Sequence, residues 1–102
     1  ILDCYVSLNQ SHVRGYFSYD NQQQLTVLVP IGGNNQFTVI GSDVGQPVVF
    51  TPGRTSYFPA STFAVTWSKQ DIDWYLTKYI LKVDPTVTLY QCPQSRHYPL
   101  LK

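Results

Sequence analysis

The chain contains no methionine, only two cysteines and two histidines, and few charges of either sign: seven Lys and Arg against six Asp and Glu, a net charge of +1. Each shortage excludes something. The cations do not cluster, so there is no basic stripe to meet a nucleic-acid backbone. The same balance gives no attraction to acidic partners or to an anionic membrane surface. No apolar run reaches about 18 residues, so membrane insertion is not expected. The chain begins at Ile1 with neither Met nor a signal-like segment, which points to a processed protein or to a domain cut from a longer one.

The scarcity of histidine bears on chemistry. His12 falls in a loop and His97 in the tail, and neither has a local context that suggests a base held beside its nucleophile by an ordered third group. Zinc ligation would consume Cys4 and Cys92 without the short paired spacing of zinc ligands. Gly32-Gly33 lacks the helix and lysine of a phosphate loop. The expectation is therefore a protein with no catalytic residues, no metal and no cofactor. Asp71 and Asp73 share a strand face and, with Asp20, Asp43 or Asp84, would make a calcium site; the competing account is a solvated strand face, since calcium takes six or more oxygens.

What is present is β-structure. Helical periodicity is nearly absent, and short runs of β-branched and aromatic residues recur every ten or so positions. Val13, Phe17 and Tyr19 share one face of a first clear run. Leu25, Val27, Val29 and Ile31 predict a core strand that ends at Pro30, where a ladder donor is missing. Gly32-Gly33-Asn34-Asn35 predicts a tight reversal into residues 36 to 40, and a short strand follows over 48 to 50. In Thr51-Pro52-Gly53-Arg54, proline presets one turn position and Gly53 accepts a positive φ. Phe63, Val65 and Trp67 share a face, as do Ile72, Trp74 and Leu76, with residues 68 to 71 expected as a hairpin between them. Residues 79 to 83 and 87 to 90 complete about eight short strands, as in an all-β, two-sheet antiparallel β-sandwich of immunoglobulin-like or jelly-roll-like type. Residues 1 to 92 form the domain, and 93 to 102 read as an extension or linker.

Cys4 and Cys92 lie near the two ends, a placement that reads as a disulfide clasp in a secreted or cell-surface protein; two buried thiols in a reducing compartment are the alternative. Asn9-Gln10-Ser11 is an N-glycosylation sequon in a polar turn.

Several motifs occur in one order: Cys4; Tyr16-Phe17-Ser18-Tyr19-Asp20-Asn21; Val29-Pro30-Ile31-Gly32-Gly33-Asn34-Asn35-Gln36-Phe37; Gly45-Gln46-Pro47; Phe50; Pro52-Gly53-Arg54; Phe63; Trp74; and Cys92. Together they resemble a small module of secreted and surface proteins in bacteria and some microbial eukaryotes. Its pattern runs Cys, F-x-Y-x-N, I-P-x-G-x-x-N-x-F, G-Q-P-x-x-F-x-P-G-R, F-x-V, W-x-L, Cys. Thr77-Lys78 stands where that module tends to place an Asn-Gly turn. The resemblance implies an accessory extracellular role and assigns no catalytic residue.

The surplus is aromatic: two Trp, eight Tyr and five Phe are more than one small core needs. Strand alternation sends Tyr16, Tyr57, Tyr75 and Tyr90 outward. Rings stack on the apolar faces of sugars while amides bond hydroxyls, so Tyr16, Tyr19, Tyr57 and Tyr75 with Asp20, Asn21, Asn34 and Asn35 are the candidate ligand-binding residues. The loops at 20 to 24 and 34 to 36 supply the amides. The expected function is lectin-like carbohydrate binding by an extracellular module in a multivalent or multidomain setting, with adhesion to a surface protein as the alternative. Arg54 would either grip an anionic ligand or brace its own turn, by stacking on a tyrosine or bonding carbonyls; the second is preferred.

Overall fold

The computed structural model describes residues 1 to 54, 57 to 86, 91 and 92. Eight strands appear among them: β1 (Leu2–Ser7), β2 (His12–Phe17), β3 (Val27–Leu28), β4 (Asn35–Phe37), β5 (Val49–Phe50), β6 (Phe63–Ser68), β7 (Ile72–Leu76) and β8 (Tyr79–Val83). One antiparallel sheet has the order β1-β2-β6 and a second the order β4-β7-β8, while β3 and β5 pair separately. This neighbour order resembles that of strands A-B-E and C-F-G in an immunoglobulin-type sandwich, with the separate β3-β5 pair in addition. The expected strand at 87 to 90, including Tyr90, and the tail after Cys92 lie outside the described residues.

Alternation explains how the sheets face each other. Val13, Phe17, Val65 and Trp67 point inward from the first sheet, and Phe37, Ile72, Trp74 and Val83 from the second. Phe17 bridges them, meeting Phe37 edge-on at 5.5 Å and Trp74 at 6.3 Å, while Phe63 meets Trp74 at 5.2 Å. Rings of this kind add roughly 0.5 to 1.5 kcal/mol per pair beyond their buried area. Gly15 leaves room for them: a Cβ there would lie 2.8 Å from the Phe17 ring and 2.9 Å from that of Trp67.

Two stretches depart from their sequence pattern. Residues 69 to 71 do not close a hairpin, because β6 pairs with β2 and β7 with β4 and β8. The linker instead crosses between sheets, where Lys69 N–H donates to the Ser11 carbonyl and the Trp67 indole donates to the Gln70 carbonyl. The run from Leu25 to Ile31 yields only the two-residue β3. Asn21 Nδ2 donates to the Leu25 carbonyl, which folds residues 21 to 25 into a bend and leaves Leu25 75% exposed.

The ends are tied together. Cys4 and Cys92 form a disulfide across a separation of 88 residues, and Cys92 N–H donates to the Tyr5 carbonyl. Unlike the inter-sheet bridge of antibody domains, this one joins β1 to the segment after β8. Chain entropy puts its contribution at roughly 4 to 5 kcal/mol. Arg54 braces rather than displays itself, as preferred above: its guanidinium pairs with Asp3 and lies 4.1 Å from the Tyr57 ring centroid. The Asp3 carboxylate, side chain 3% exposed, also accepts from the hydroxyls of Ser18 and Ser61.

Gly15→Ala is expected to lower the unfolding free energy by about 1 to 3 kcal/mol, the usual cost of overpacking a filled core. Urea titration at matched pH measures it. Selective reduction of the disulfide should cost up to about 5 kcal/mol on the chain-entropy estimate, read as a drop in the thermal midpoint.

Candidate functional site

The second sheet has an inward row of three cross-strand pairs: Ile72 with Val83, Trp74 with Leu81, and Leu76 with Tyr79. Burial falls along that row. Ile72 and Val83 are 1% and 2% exposed, Trp74 is 3%, Leu76 and Leu81 are half-buried, and Tyr79 is 65% exposed. Among the described residues nothing covers that end of the row, which opens into a groove of about 500 Å³. Val27, Val29, Phe50, Trp74, Leu76 and Leu81 line the apolar part, and Tyr19, Asp20, Asn21, Gln22, Gln23, Thr77 and Tyr79 surround it. An apolar hollow of this size edged by a few polar groups is the usual form of a small-ligand site.

The loop at 19 to 23 forms one wall because several bonds hold it. Asn21 exchanges both backbone hydrogen bonds with Gly53, which carries the expected positive φ of 81°. Its side chain donates to the carbonyls of Leu25 and Phe50 and accepts from Gln23 N–H. The Tyr19 ring packs edge-on against Phe50 at 4.8 Å, and its hydroxyl accepts from Thr51 N–H. Asp20, Gln22 and Gln23 stand exposed on this wall. The Ile1 amine, close to the same end, donates to the Ser18 carbonyl. Burial lowers its pKa; the Asp3 carboxylate opposes that shift and Arg54 adds to it.

The opposite rim is the β7–β8 turn. Thr77 has φ of 54° and donates its N–H to the Asn34 carbonyl. A β-branched residue in left-handed backbone is strained, as is Val39 at φ of 71° outside the groove.

Of the candidates named from sequence, Tyr19, Asp20 and Asn21 meet in the groove, and exposed Asn34 adjoins its rim through Thr77. Tyr16 packs edge-on against Phe58 at 5.1 Å, Tyr57 lies under Arg54, and Tyr75 stands on the outer face of β7 opposite Gln36 and Ile80. These three do not share a face with the groove residues. Asn35 is fully buried: its Nδ2 donates to the carbonyls of Val29 and Pro47, and its Oδ1 accepts from the Trp74 indole. No surface of it is left for a ligand. Tyr79, Thr77, Leu76 and Leu81 line the groove without being among the candidate ligand-binding residues. Parity along β7 and β8 marks three of them as inward, but not that the row ends uncovered.

Asp73 faces Lys82 at 3.8 Å and Asp71 is exposed; among the described residues no three His, Cys, Asp or Glu side chains group as metal ligands. No described helix is long and apolar enough to cross a membrane. No protein-family model, curated protein or solved structure matches this chain.

Thr77→Asn should raise the unfolding free energy by about 1 kcal/mol, because Asn tolerates left-handed backbone at lower cost. Denaturant titration at unchanged m-value checks it.

Proposed function

We propose that this protein is an extracellular, non-catalytic binding module that takes a carbohydrate in the groove between the loop at 19 to 23 and the β7–β8 turn. The observation that carries the reading is the inward row of the β4-β7-β8 sheet passing from buried Trp74 through half-buried Leu76 to exposed Tyr79. A core row left open to water costs stability, roughly 25 cal/mol per Å² of apolar area, unless something covers it. A sugar ring offers apolar C–H faces to Tyr79 and Leu81 and hydroxyls to Asp20, Gln22, Gln23 and Thr77. Such a site binds weakly alone and gains by repetition. The disulfide is compatible with this setting, since such bridges persist in oxidising compartments.

A second reading, adhesion to a protein, is favoured by one specific feature. β8 is the outermost strand of its sheet among the described residues, and its Tyr79 and Leu81 both line the groove. An extended polypeptide pairing with that edge would place alternate side chains in the hollow.

A glycan array on the folded protein separates these accounts. Retention of at least one glycan class is expected, and Tyr79→Ala should weaken it about tenfold, or 1.4 kcal/mol. The same exposed substitution should change unfolding by no more than about 0.5 kcal/mol. An array without retention above background contradicts the carbohydrate reading, and Tyr79-dependent capture of an extended peptide would put the polypeptide in its place.

A further inference from the structure

We propose that Asn9 is an acceptor for an N-linked glycan, carried on the β1–β2 hairpin tip away from the groove. The sequon Asn9-Gln10-Ser11 lies between Ser7 and Val13, the last paired residues of that hairpin, and all three of its residues are exposed. The side-chain orientation of Asn9 is fixed by its partners. Its Oδ1 accepts from Ser11 N–H at 2.8 Å, from His12 N–H at 2.8 Å and from the Ser11 hydroxyl at 2.9 Å. Backbone N–H groups only donate, so the oxygen must face them and Nδ2 must face away. Among the described residues no hydrogen bond engages that Nδ2, and Asn9 itself is exposed at the hairpin tip.

The sequon hydroxyl is already on the carboxamide oxygen, and the nitrogen is the exposed end. Transfer requires an oligosaccharide carried on a polyprenyl diphosphate. Asn9 Nδ2 bonds to the anomeric carbon, the bond from that carbon to the diphosphate oxygen breaks with its electron pair leaving on the diphosphate, and a proton from Nδ2 passes to base. The glycan would shade Leu8, which is 51% exposed beside Asn9. None of residues 7 to 13 lines the groove, so ligand access is untouched. The proposal needs passage through a secretory compartment, with which the disulfide is compatible, and is independent of what the groove binds.

The test is the intact mass of the protein secreted by eukaryotic cells, before and after peptide N-glycosidase. A mass excess that the enzyme removes is expected, with Asn9 converted to aspartate in the corresponding peptide. Ser11→Ala should abolish the excess while keeping both backbone bonds to Asn9, and Ser11→Thr should retain it. Secreted, disulfide-bonded protein at its unmodified mass would overturn the proposal. So would an excess that survives Ser11→Ala.

Discussion

The Asn35 carboxamide is a fully buried polar group on which three separate parts of the chain converge. Its two N–H bonds go to the carbonyls of Val29, after β3, and Pro47, before β5, and its oxygen receives the indole N–H of Trp74 on β7. The Asn35 carbonyl also lies 3.5 Å from Gln46 Nε2, and Gln46 closes its own loop by donating to Ser42 and accepting from Val44. Asn35 and Gln46 are themselves buried, and an unmet donor or acceptor in such a place costs about 1 to 3 kcal/mol. Two short strands that pair over only two residues each are therefore held against the main sheet by side-chain bonds as much as by their own ladder.

The groove follows from that arrangement. Asn35 sets where Val29 lies against Trp74, and both line the hollow. A second lock acts on the other wall, where Asn21 exchanges backbone bonds with Gly53 and the neighbouring Arg54 reaches Asp3 on β1. The conspicuous run from Gly45 to Arg54 is thus scaffold at both ends: Gln46 and Pro47 serve Asn35, and Gly53 and Arg54 serve Asn21 and Asp3. What the locks position is a floor made of core residues and a rim made of residues outside those motifs, chiefly Gln22, Gln23, Thr77 and Tyr79.

This division explains which features were legible beforehand. Strand alternation marked Phe17, Trp67, Ile72 and Trp74 as inward, and the turn chemistry of Gly53 was readable because positive φ leaves little choice of residue. Asn35 was misplaced as a ligand residue because an amide in a Gly-Asn turn looks the same in sequence whether its partners are water or buried carbonyls. The tyrosines likewise carry no mark of which outer face they occupy, so Tyr16, Tyr57 and Tyr75 read as one group although they stand apart. Tyr79 carries no mark either: a strand over 79 to 83 does not say which end of its inward row is packed, and only the three-dimensional arrangement leaves Tyr79 65% exposed.

The central claim is that the buried Asn35 carboxamide holds these segments together. Asn35→Asp is nearly isosteric, keeps an acceptor for Trp74 and removes both donors, so it isolates the bonds to Val29 and Pro47. Equilibrium urea unfolding at pH 7 should show a loss of at least about 3 kcal/mol, the sum of two orphaned carbonyls and a carboxylate buried against them. A variant within about 0.5 kcal/mol of the parent, with the same m-value, would contradict the account.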